Sequence, residues 1–196
     1  MSIKDNLLRI RETLPAGVEL LAVSKFHPAE AILQAYEAGQ RRFGESRPQE
    51  LKEKYAALPK DIEWVMIGHL QTNKVKQVVG KVDVIQSVDS LRLLKAIDSE
   101  AAKQGIIQKI LLEVNVGGEE SKSGFSPDEV LPLIEQISEF RHIFVCGLMT
   151  IPPISQNSGD NRKFFQKISQ LSVDISTKKY DNVWADILSM GMSDDY

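Results

Sequence analysis

Seven short apolar runs recur along the chain, and each is parted from the next by a stretch of helical rather than turn character. The runs cover 19–25, 41–45, 64–69, 82–88, 110–116, 144–150 and 186–190, and they read as strands. Helix signals fill the gaps. Pro28-Ala29-Glu30 opens a helix with proline in the first turn, and Gly39 ends it. Asp89-Ser90 opens another, with Leu94, Ile97 and Ala101 aligned and Gly105 past its end. Ser126-Pro127-Asp128-Glu129 is a capping box ahead of Val130, Leu133, Ile134 and Ile137 on one face. Phe164, Ile168, Leu171 and Ile175 form a further helical stripe.

Strands separated by helices must pair in parallel through right-handed crossovers. Two α/β architectures meet that condition: an open doubly wound sheet and a closed (β/α)8 barrel. The first would carry a glycine-rich turn after its first strand, where this chain reads Ser24-Lys25-Phe26-His27-Pro28. A barrel instead collects polar groups at the C-terminal ends of its strands. Lys25, Glu45, His69, Ser87, Asn115, Thr150 and Ser189 stand at such ends, which favours a TIM-type barrel. The chain stops at Tyr196, where an eighth β/α unit would begin. The expectation is therefore one barrel domain over 1–196, C-terminally incomplete; a barrel without strand eight would leave raw edges on its first and last strands, so either a further C-terminal segment or an unusual cover is expected there.

Composition narrows the partners. The formal charge is −3, without a basic stripe, so a nucleic-acid partner is not expected. The N-terminus lacks a hydrophobic signal core and no apolar run is long enough to span a bilayer, which points to a cytoplasmic protein without a membrane role. The lone cysteine, Cys146, lies in an apolar run as a packing residue and suits a reducing compartment. His27, His69 and His142 are too far apart for a metal-ligand pattern. A monomer is expected.

Four places could carry chemistry. In Leu21-Ala22-Val23-Ser24-Lys25 a period of two puts Leu21, Val23 and Lys25 on one face. If that face lines a barrel, burial favours the neutral amine that imine formation needs. On spacing alone, a lysine bending outward into water is the simpler reading. The segment from Ser189 through Met190, Gly191, Met192 and Ser193 to Asp195 follows a strand and leads toward a helix start. Gly191 permits close backbone approach and Ser193 can cap, which together suit an anion; a plain strand-to-helix turn has equal weight. His69, in Gly68-His69-Leu70-Gln71-Thr72-Asn73-Lys74, could stack on a ring, although a satisfied histidine on a capped loop is the stronger reading. Asn115 precedes a polar glycine-rich loop, 117–124, where Lys122 could reach an anion; an ordinary solvated connection is slightly favoured.

Taken together, several stretches resemble the pyridoxal phosphate homeostasis proteins, single-domain relatives of the alanine racemase N-terminal barrel. The stretches are Leu21-Ala22-Val23-Ser24-Lys25, Arg42-Phe43-Gly44-Glu45, Ile67-Gly68-His69-Leu70-Gln71-Thr72-Asn73-Lys74, Ser121-Lys122-Ser123-Gly124, Gly147-Leu148-Met149-Thr150-Ile151-Pro152 and Leu188-Ser189-Met190-Gly191-Met192-Ser193-Asp194, in family order over nearly the whole chain. The resemblance implies the fold type III barrel, with pyridoxal 5′-phosphate (PLP) held as a covalent aldimine on Lys25. It implies that the turn from Ser189 to Ser193, with Gly191 and Met192, grips the phosphate. His69, Asn115 and Met149 would line the pocket. The implied role is buffering or delivery of PLP, with PLP-dependent apo-enzymes as receiving partners and no robust turnover.

Two departures accompany it. Ser46 stands where the family commonly has Asn, and the family's last-strand Arg-Ile-Gly motif is not in the sequence, so weak PLP binding or none is expected if that segment is absent. The other reading is a PLP-dependent racemase-like enzyme. Racemisation needs a second base opposite the lysine, which alanine racemases take from an added β domain, and Tyr36 and Tyr55 fall in predicted helices instead. A third reading is a barrel scaffold acting through protein partners.

Overall fold

In the computed structural model, which describes residues 2–119, 122–153 and 161–192, the alternation resolves into one parallel sheet. Its strands are β1 (Ala22–Val23), β2 (Arg42–Glu45), β3 (Glu63–Met66), β4 (Val84–Val88), β5 (Gln108–Glu113), β6 (Ile143–Met149) and β7 (Val183–Ser189). They lie side by side in chain order. Helices α2 (Ala29–Glu37), α3 (Pro48–Ala57), α4 (Leu91–Gln104), α5 (Pro127–Ile137) and α6 (Arg162–Ser176) carry the crossovers, and α1 (Ile3–Thr13) precedes the sheet. A short 3-10 helix, Thr72–Gln77, takes the place of a helix after β3. Sequential order is the topology of a barrel, since a doubly wound sheet reverses order at a switch point. The fold is of the TIM-barrel type, with seven strands among the described residues and β1 and β7 as the two outer strands of the sheet.

Local chemistry explains the helix ends. The Ser126 N–H donates to the Glu129 carboxylate at 2.8 Å, and Val130, Leu133, Ile134 and Ile137 of α5 are all buried. Ser90 caps α4 by accepting from the Leu93 N–H at 3.3 Å, and Gly105 ends it in the left-handed region at φ 65°. In α1, Ser2 and Asp5 form a reciprocal capping box, a signal at the very start of the chain.

Side chains of the strands divide between two layers. Phe43, Trp64, Ile85, Ile110, Leu112 and Val145 face the helices within the large core. Val65, Val84, Leu111, Cys146 and Met149 face inward as a second cluster, joined by Leu21, Ile67 and Phe144. The inward layer is open on one flank. Val23 is 47% exposed and Trp184 61%, because among the described residues no strand lies between β1 and β7.

Several strand expectations need correction: β3 ends at Met66 rather than at 69, and β5 spans Gln108–Glu113 rather than 110–116. The first run was expected to stay extended to Lys25, yet β1 ends at Val23 and the ladder closes with the Ser24 N–H on the Gly44 carbonyl at 2.9 Å. The chain turns there, with Phe26 at φ 65°. The last strand begins at Val183 rather than 186, since the alternating Val183-Trp184-Ala185 already pairs with β6.

Candidate functional site

The inner apolar cluster forms a floor, and the next inward position on each strand lies at the C-terminal mouth. Two residues beyond Val84 is Gln86, and two beyond Leu111 is Glu113. From β7, the Ser189 hydroxyl donates to the Gln86 side-chain carbonyl at 2.7 Å, so the two strands exchange a polar contact over the floor. The mouth is polar above and apolar below, a combination suited to a flat heteroaromatic ligand with polar substituents.

Met149 reaches this layer through an irregularity. Phe144 and Cys146 face inward, so unbroken alternation would turn Met149 toward the helices. A register shift between β5 and β6 at Ile110/Leu111 supplies one extra β6 residue, and Met149 packs inward opposite Glu113. Bulges re-aim side chains in this way.

Lys25 lies two residues past the end of β1. Ser24 is buried on the helix side, where its hydroxyl meets Glu45, and Lys25 follows it in the turn at the C-terminal end of the strand. Among the described residues its amine forms no hydrogen bond or ion pair. Lys25 is exposed, the outward arrangement that spacing alone favours and not the buried one that a barrel-lining face would give, because β1 lies at the open flank of the sheet.

His69 is largely exposed and its Nδ1 lies 2.9 Å from Asp89 Oδ2, the satisfied-histidine arrangement. The same group of charges reaches Glu113. Burial pushes the Glu113 carboxyl up to about 7, the negative charge of Asp89 adds to that, and His69 opposes it. A carboxyl that is part protonated at neutral pH can donate or accept a proton at the mouth.

Other expected residues are employed elsewhere. The Asn115 amide donates to the carbonyls of Glu119 and Lys122 at 2.8 and 3.3 Å, closing its own loop. The Lys122 amine donates to the Pro152 carbonyl at 3.1 Å and pairs with Glu119 at 2.6 Å. Gly191 does adopt a positive φ, 90°, as an anion-binding turn would require. Met192 beside it is exposed, and Ser193, with Asp194 and Asp195, lies outside the described residues.

Polar strand ends were an incomplete guide. Glu45 is fully buried behind the sheet, the Ser87 hydroxyl donates to the Gly68 carbonyl at 2.6 Å, and the Thr150 hydroxyl donates to the Val114 carbonyl at 2.8 Å. The residues missed were Gln86, Asp89 and Glu113. Counting in twos from the inward apolar residues Val84 and Leu111 would have found Gln86 and Glu113.

Comparison with known proteins fits this geometry. The family model described as alanine racemase, N-terminal domain, matches residues 1–196. The pyridoxal phosphate homeostasis protein of Aquifex aeolicus (strain VF5) is 45% identical over 207 residues, spanning 100% of this chain and 90% of that protein. PipY of Synechococcus elongatus PCC7942, solved without PLP, superposes with a TM-score of 0.93 at 36% identity, covering 99% of this chain and 91% of that one. The same protein with PLP bound gives a TM-score of 0.88 at 35% identity over the same shares.

Proposed function

This chain belongs to the pyridoxal phosphate homeostasis proteins of the alanine racemase N-terminal-domain family, and from that premise we propose that it binds PLP at the barrel mouth and buffers or delivers it inside the cell. Lys25 is the attachment residue in this reading. The observation that carries it is the uncommitted Lys25 amine at the end of β1, in a chain whose structural counterpart holds that cofactor. The donor set fits the ligand: an amine for an aldehyde, a positive-φ glycine at 191 for a phosphate, and an apolar floor with polar walls for a ring. When bound, PLP supplies an aldehyde and an electron-accepting ring; the protein supplies orientation and charge. The backbone around Gly191 would hold the phosphate side, joined by the Ser189 hydroxyl once it exchanges its bond to Gln86 for the phosphate, and Met149 would pack under the ring.

Binding without robust turnover agrees with the placement of the tyrosines. Tyr36 donates its hydroxyl to Asp61 at 2.7 Å on the helix side, Tyr55 lies on α3, and Tyr180 precedes β7 at the end of the sheet opposite the mouth. None of these three offers a second base across the ring from Lys25.

The test is incubation with PLP, borohydride reduction and peptide mapping by mass. The expected result is a pyridoxyl group on the peptide that contains Lys25, lost in Lys25→Ala. Labelling at another lysine, or none, overturns the reading. Transfer to an apo-enzyme faster than spontaneous release supports delivery, whereas rapid exchange of amino-acid α-protons in D2O would favour a racemase-like enzyme.

A further inference from the structure

A group of charged side chains lies behind the sheet, out of reach of the mouth. Glu45 ends β2 with 0% exposure; Lys54, on α3, is 8% exposed; Glu50 stands one turn before it. The Lys54 amine donates to Glu45 Oε1 at 2.7 Å and to Glu50 Oε2 at 3.3 Å. It also donates to the backbone carbonyl of Ser24 at 2.9 Å. Glu50 Oε2 accepts the backbone N–H of Phe26 at 3.0 Å. Glu45 Oε1 accepts the Ser24 hydroxyl at 2.6 Å. The peptide units before and after Lys25 are thus both held by this group, while Lys25 itself is not.

The held segment is one that would not adopt this shape unaided. Phe26 is the one non-glycine among the described residues at positive φ, a region that bulky side chains avoid. Its ring lies under the Arg47 guanidinium, 4.5 Å away, rather than in the core. The Glu50 carboxyl is held below its ordinary range, first by the Phe26 N–H. Stability alone gives little reason for the arrangement. A buried ion pair contributes little over apolar packing of the same volume, and Glu45 Oε2 is buried without a hydrogen-bond partner. Supporting contacts of this kind recur where a reactive group must be held in a fixed direction.

We propose that Glu45, Glu50 and Lys54 are positioning residues that fix the turn around Lys25 and aim its amine at an aldehyde bound in the mouth. The proposal rests on the reading of Lys25 as the attachment residue. Since the three side chains lie on the far side of the sheet, their effect falls on covalent attachment and not on docking of the phosphate or ring.

Two phosphorylated ligands separate these effects. PLP carries the aldehyde; pyridoxine 5′-phosphate has an alcohol there and can only dock. The double variant Glu45→Gln, Lys54→Met removes the ion pair without leaving a lone buried charge. Its rate of borohydride-trappable labelling at Lys25 is expected to fall about tenfold or more, as misaimed reacting groups do. Its affinity for pyridoxine 5′-phosphate, by calorimetry, is expected to stay within about twofold, with an ordinary circular dichroism spectrum and melt. If the double variant does not fold, Glu50→Ala, which frees the Phe26 N–H from a partly exposed side chain, takes the same two measurements. Labelling at the wild-type rate in a folded variant overturns the proposal, and so does equal weakening of both ligands. A wild-type chain that is not labelled at Lys25 sinks the attachment reading itself, and the positioning role with it.

Discussion

The Glu113 carboxyl holds its proton up to about pH 7 in the folded chain, against an ordinary value of 4.5. The folded state therefore binds more protons than the unfolded state between those values, and stability falls as pH rises through that window. The full contribution is present below about 4.5 and is lost above about 7. Allowing for solvent screening of a partly exposed group, the change is about 1–2 kcal/mol. Denaturant unfolding at about pH 5 and about pH 8 should show this loss, and Glu113→Gln should flatten it. Lys25 is singled out in the sequence by the family motif that surrounds it. Glu113 is not, since a single acid in an apolar run gives no sign of which face it takes until the inward residues are known. Asn115 shows the converse: its position was read from the strand end, but its amide bonds are spent on the loop that follows.

Elements were legible where their signals are local. The capping box at Ser126 and the Gly105 stop depend on residues within one turn, so the sequence displays them directly. The bulge in β6 does not show this way, because it exists only relative to β5. Its support is Gly147, where a Cβ would collide with the Ile187 carbonyl of β7. Gly147→Ala is predicted to cost about 2–4 kcal/mol by chemical denaturation. The same substitution should move Met149 out of the inward layer and weaken ligand docking, whereas Ala in place of the exposed Leu8 on α1 should do neither.

At the scale of the molecule, sequential strand order was readable from the alternation of patterns, but the tilt of stability across the sheet was not. β3, β4 and β5 are paired on both sides, while among the described residues β1 and β7 are each paired on one side only. Amide hydrogen exchange should accordingly be slowest in 84–88 and 108–113, and faster in β1 and along the free side of β7. β1 limits the hazard of its free edge by being two residues long. The two tryptophans report on the two layers separately. Trp64 is shut inside at 2% exposure, and Trp184 stands on the open flank beside Phe144. Whatever comes to seal that flank must therefore shift the emission of one indole to the blue and shield it from iodide, leaving the other unchanged, so closure would announce itself without any attached dye.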